Sequence, residues 1–210
     1  VLNTDDKHSE AFLLADVALD VQKYYNANYG KLTEDEFFTN NWKKSDLRSW
    51  LNSKGSEERG FLNTAFSNKE QEAIINIVAE ERVADKVSLL SENEVWESQT
   101  AIDYGFAEAS DIADEARRSK SSTYAKIMGL NISVDQAAMD CNNWWIRPAN
   151  GSTVQYDGQR QAWGDMISIV NLNAVRPVVK IDLSKTGQYR YAGTVSSGGK
   201  VKTECSLLQS

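Results

Sequence analysis

The chain has 210 residues, 41% of them hydrophobic, including six tryptophans, enough apolar material for one sizeable core or two small ones. Thirty acidic against twenty-three basic residues leave a net charge of -7, which repels phosphate backbones and anionic lipid, so no nucleic-acid partner is expected. No run approaches the roughly 20 apolar residues of a membrane-spanning helix, so no membrane insertion is expected either.

Residues 1–20 read as two strands around the polar turn Asn3-Thr4-Asp5-Asp6-Lys7-His8, the second strand running from Ala11 to Leu19. Ser45 opens a short helix in which Leu47, Trp50 and Leu51 share a face, with Gly55 beyond its end. Ser67 and Glu70 have capping-box spacing, and the stripe Ala73, Ile74, Ile77 and Val78 predicts a helix after them. Lys86 to Leu90 predicts a short strand, and Ser91 with Glu94 repeats the capping box before Val95 and Trp96. Residues 111–118 and 124–128 read as two further helices, the second stopping at Gly129, so the first half is expected to be mostly helical. Arg117, Arg118 and Lys120 beside Asp111, Asp114 and Glu115 then read as a solvated helix face.

Beyond Cys141, β-branched and aromatic residues rise and glycines punctuate short segments, which predicts strands and loops. Helices followed by strands favour an α+β fold over a doubly wound parallel sheet. The only two prolines follow arginines, in Asn142-Asn143-Trp144-Trp145-Ile146-Arg147-Pro148 and in the strand-like run from Ala174 to Leu183 that contains Arg176-Pro177. Proline cannot donate to a sheet ladder, so each should mark a strand edge, end or bulge. Adjacent strand residues point to opposite faces, which places one of Trp144 and Trp145 inside the core and the other under the long loop that follows. A planar guanidinium with five donors suits clamping of strands and loops, so Trp144, Trp145, Arg147 and Arg176 are assigned to the scaffold.

The residues restrict the chemistry. With His8 as the only histidine, a two-histidine iron site and a three-histidine zinc site cannot be built, and a Ser-His-Asp hydrolase would depend on His8 alone. Cys141 and Cys205 match no metal-site spacing and either pair, if the chain is secreted, or stay apart. Asp140, Asn142 and Asn143 offer oxygens of the kind calcium sites use, but residues flanking a strand more often cap turns. No metal and no cofactor is expected. Abundant carboxylates leave a paired-carboxylate glycosidase open on ingredients, without a spacing that singles out a pair.

Six phrases in order carry a family resemblance. They are Val1-Leu2, the run from Ala11 to Asp20, Ser45-Asp46-Leu47-Arg48-Ser49-Trp50-Leu51-Asn52, the run Phe61-Leu62-Asn63-Thr64-Ala65-Phe66 leading into Glu70-Gln71-Glu72-Ala73-Ile74, Asp85-Lys86-Val87-Ser88-Leu89-Leu90-Ser91, and the two Arg-Pro strands. Together they resemble a bacterial domain of unknown function found mostly in secreted or surface proteins and related to the C-type lectin-like fold. The chain departs from that family's Trp-Trp-Leu-Arg-Ser-Pro-Gly phrase, since Pro148 follows Arg147 directly and Ala149-Asn150 replaces the glycine. The resemblance implies a single lectin-like domain over residues 1–210, with a twisted, mostly antiparallel sheet, flanking helices and residues 184–210 as an added hairpin or tail. Two small domains split near Gly129 are the alternative. It places ligand-binding loops at residues 150–173, where Tyr156, Asp157, Arg160, Trp163 and Asp165 combine aromatic faces with charged groups. It implies an extracellular or cell-surface location and a non-catalytic binding module for a glycan or a surface protein. The rivals are a carboxylate-based glycan hydrolase and a purely structural domain of a larger surface protein. The formylglycine-generating enzymes that this fold includes use a pair of nearby cysteines, which Cys141 and Cys205 do not supply.

Overall fold

Two chain segments that begin in one sheet and finish in another organise this α+β molecule. A computed structural model describes residues 1–5, 7–25, 42–53, 60–80, 83–96, 98–147, 153–161, 172–185, 194–195 and 201–202. Strands β1 (Asn3–Asp5) and β2 (Glu10–Leu14) form the expected hairpin, with Asn3 opposite Phe12 and Asp5 opposite Glu10. The turn is therefore shorter than the sequence suggests. The Asp5 carboxylate closes it by accepting from the Lys7 and His8 backbone N–H groups. The strand predicted from Ala11 to Leu19 ends at Leu14, because the chain bends there and leaves the first sheet for β3 (Asp20–Gln22) in the second.

Ser45 caps α1 (Asp46–Asn52) as expected, its hydroxyl accepting the Arg48 N–H at 3.1 Å. Leu47 and Leu51, one turn apart, are fully buried, each contributing about 1.5–3 kcal/mol of apolar transfer. After α2 (Phe61–Ala65), the Ser67–Glu70 capping box is formed, yet α3 (Asn68–Gln71) is one turn long. The apolar stripe predicted as helix is instead β4 (Ile74–Ile75) and β5 (Ile77–Glu80), and Val78 is 75% exposed. β-Branched residues suit a strand, and pairing with a distant strand overrides the local helical signal. β5 pairs antiparallel with β6 (Val83–Asp85). The expected strand near Lys86 is β7 (Val87–Ser88), followed by α4 (Glu92–Val95) with its capping box and by α5 (Gln99–Asp103).

Residues 111–118 are not a helix. They form turns around the buried side chain of Arg117. Helix α6 (Thr123–Ile127) follows, capped by the Ser122 hydroxyl and stopped by Gly129 at φ +93, a conformation glycine adopts without strain. The described α-helices are four to seven residues long and alternate with strands, so the described part of the first half is not mostly helical.

The strands β8 (Trp144–Trp145), β9 (Thr153–Val154), β10 (Asn173–Val175) and β11 (Val178–Asp182) complete the two main sheets. One has the order β1-β2-β11-β4, with β7 also on β11, and is antiparallel throughout; the other has the order β3-β10-β8-β9, with only β10–β8 parallel. The strand predicted from Ala174 to Leu183 is thus two strands, and Arg176-Pro177 is the crossing between sheets. Ala15, at the corresponding crossing from β2 to β3, donates its N–H to the Pro177 carbonyl. Near the C-terminal end β12 (Thr194–Val195) pairs antiparallel with β13 (Val201–Lys202).

The second sheet divides the core. Trp144 and Ala174, directly opposite each other, pack with Trp96, Ile146 and Val154, while Trp145 and Val175 pack with Tyr24, Trp42, Leu47 and Leu51. Period-two alternation sends neighbours to opposite faces, but both faces are covered by core. Trp144 and Trp145 are each fully buried, so neither is left merely beneath a loop.

Candidate functional site

The phrases that carry the family resemblance mostly bind one another. Arg48 donates through Nε to Asp85 Oδ1 at 2.8 Å, and Trp42 Nε1 donates to the other oxygen of this almost fully buried carboxylate at 2.8 Å. Asn52 accepts the Lys86 and Val87 N–H groups and donates back to the Val87 carbonyl, which ties α1 to β7. Arg147 donates to the Leu89 and Ala79 carbonyls and pairs with Glu94, the residue that closes the α4 capping box. Arg176 donates to the Ala15 carbonyl at 2.8 Å and lies 5.2 Å over the Trp144 ring. Burial pushes its guanidinium down to about 10.

Arg117, read from sequence as solvated, is the most enclosed cation described. Its side chain is inaccessible to solvent, donates to the carbonyls of Val95, Ala107, Ala109 and Ile112, and lies 3.1 Å from Asp114. Its own carbonyl accepts from Trp144 Nε1 at 3.0 Å and from Arg176. Two guanidiniums, those of Arg117 and Arg160, each lie over the Trp96 ring, 5.7 Å from its centre. Nothing in the local pattern distinguishes Arg117 from Arg118, because the carbonyls it holds come from a loop whose path the sequence does not reveal.

Away from these clamps, an open groove of about 1040 Å³ lies over the end of the second sheet. It is lined by Lys23 after β3, residues 129–135 after α6, Cys141, Asn142 and Asn143 before β8, Tyr156 after β9, and Leu172 and Asn173 at β10. Four asparagines, 131, 142, 143 and 173, give it amide donors and acceptors. Asn143 Oδ1 accepts the Tyr156 N–H at 2.9 Å and so sets the turn that carries the tyrosine. Asn142 donates to the Ser119 carbonyl and Ser121 hydroxyl, while its own carbonyl oxygen is buried without a hydrogen-bond partner among the described residues. Asp140, with φ +67, pairs with Lys126, so Asp140, Asn142 and Asn143 serve separate contacts in and around the loop. No group of three metal-ligating side chains occurs among the described residues.

The predicted ligand-binding residues do not converge. Tyr156 lines the groove. Asp157 instead holds a turn, accepting the Gln159 N–H on its carboxylate and the Asp114 N–H on its carbonyl. That turn needs Gly158, where φ is +90 and a Cβ would sit 2.1 Å from the Asp114 carbonyl oxygen. Arg160 pairs with Glu92 at 2.6 Å and stacks on Trp96, away from the groove. Trp163 and Asp165 lie outside the described residues, as do Pro148 and Cys205. Cys141 is a free, buried thiol whose pKa is raised by desolvation. The recurrence of asparagine at 131, 142, 143 and 173 was the sequence signal for the groove, but those positions meet only when β8 and β10 pair.

A mixed α+β domain of mostly antiparallel sheets, with an amide-lined groove at one sheet end, is the class these features define. A family model described as a domain of unknown function (DUF6273) matches residues 9–183, and the chain belongs to that family. No curated protein and no solved structure matches it.

Proposed function

We propose that the chain is a non-catalytic binding module of a bacterial extracellular or cell-surface protein, related to the C-type lectin-like fold, that takes a glycan or protein ligand in the groove. The observation that carries this is the concentration of hydrogen-bonding side chains there: four asparagines, Ser133, Asp135, Lys23 and the half-buried Tyr156 line one open depression. An aromatic face among fixed amides suits both sugar hydroxyls and peptide groups. Tyr156, Leu172 and Asn173 belong to the loop region that the resemblance associates with ligands. The described lining supplies one carboxylate, Asp135, whereas a glycoside hydrolase uses two, which favours recognition over hydrolysis.

A glycan array probed with the wild type and with Tyr156→Ala, run beside a peptide-binding screen, tests the proposal. Binding that is lost in Tyr156→Ala at unchanged melting temperature is the expected result. Turnover of cell-wall or mucin glycans would overturn it in favour of the hydrolase, and no binding in either format would favour a structural domain.

A further inference from the structure

We propose that the groove's ligand is an extended peptide segment of a partner protein, which adds as a strand along residues 131–134. The inference rests on the groove being the binding site and names the ligand class. Ser133 carries the main observation. Its N–H donates to the Cys141 carbonyl at 2.7 Å, and its carbonyl accepts the Asp140 N–H at 3.2 Å. With Asp140 at φ +67, this is a β-bulge rung in which two residues of one segment oppose one of the other. Ser133 is therefore paired as a strand residue on one side only.

In an extended chain alternate residues direct their backbone groups to opposite sides, and we take the Ser133 rung to set that alternation locally, with Ile132 and Val134 directed away from Cys141. Neither has a backbone hydrogen bond among the described residues. On this inference their N–H and C=O groups form an open edge that another extended chain can satisfy. The adjoining apolar side chains are also uncovered: Val134 is 87% exposed, Met139 56% and Leu172 47%. A bound strand would cover Val134 and Leu172 and send alternate side chains toward the asparagines. Sugars supply no repeating amide pattern to match such an edge. The net charge of -7 opposes edge pairing between two copies and favours a neutral or basic peptide.

The test pans the 210-residue chain against a phage-displayed library of random linear peptides and measures affinity of enriched peptides by fluorescence polarisation. N-methylation scanned along a peptide should weaken binding about tenfold or more at alternate amides and little at the amides between, since only one side of a strand donates to the edge. Val134→Asp should weaken binding similarly, and Ile112→Asp, at an exposed apolar residue outside the groove, should not. Affinity without the alternating pattern, or unchanged in Val134→Asp, overturns the inference. So does a concentration-dependent dimer abolished by Val134→Asp, which would assign the edge to a second copy. No enriched peptide, with glycan binding lost in Tyr156→Ala, overturns the peptide ligand and leaves the groove as the site. No binding of either kind overturns both.

Discussion

Arg117 shows how much of the interior depends on one cation. Truncation to alanine would leave four carbonyls and Asp114 without their partner in a dry site, and an uncompensated buried group of this kind costs about 3–5 kcal/mol. Urea denaturation of Arg117→Ala should show that loss. Arg117→Lys should recover little of it, because one ammonium cannot reach carbonyls spread around a planar fork. His8 offers a cleaner electrostatic reading because it is the only histidine. Its ring nitrogen lies 2.6 Å from the Asp5 carboxylate, which raises its pKa above 6.5 and lowers that of Asp5. A raised value for His8 and a lowered one for Asp5 mean that the pairing supports the turn fully between about pH 3.8 and 6.5, fades as pH rises through the folded value of His8, and is lost in acid as Asp5 protonates. An NMR titration of the imidazole resonances should give a midpoint above 6.5, returned toward the ordinary value in Asp5→Asn.

Among the elements, β8 and β10 separate the two core clusters and also end at the groove. Trp144→Ala and Trp145→Ala should each cost about 3–5 kcal/mol, since each empties a fully buried indole site in a different cluster. Tyr156→Ala should leave the melting temperature nearly unchanged, because the turn at Tyr156 is held by its backbone N–H to Asn143 rather than by the ring. Calorimetry on the three variants would separate scaffold from site. A large loss for Tyr156→Ala with silent tryptophan variants would reverse the division. α3 carries a different lesson. Its capping box formed as expected, yet one turn later β4 took Ile74 and Ile75 to β11. A cap specifies where a helix starts, and tertiary pairing decides where it stops.

At the scale of the molecule, strands from both ends of the chain share sheets. β2 pairs with β11 and β3 with β10, so each main sheet joins residues on either side of Gly129. Unfolding should therefore be a single cooperative transition by circular dichroism and tryptophan fluorescence, and limited proteolysis near Gly129 should not release two stable halves. Helices this short should also keep the helical share of the far-ultraviolet spectrum below about a third.

What the sequence determined by itself was local: the Ser45 cap, both capping boxes, the first hairpin, the stop at Gly129, and strand breaks at an Arg-Pro pair. Each follows from the chemistry of a few neighbouring residues, whereas Tyr156 was singled out only through a family resemblance that assigns residues 150–173 to ligand-binding loops. Pairing decided the rest. Whether Ile74 belongs to a helix or a strand depends on Ile181, more than a hundred positions away, whether Arg117 is solvated or enclosed depends on the path of the loop whose carbonyls it holds, and whether four asparagines meet in one groove depends on the pairing of β8 with β10. Backbone hydrogen bonds to a distant strand and burial beneath a loop carry free energies larger than the local preferences they override.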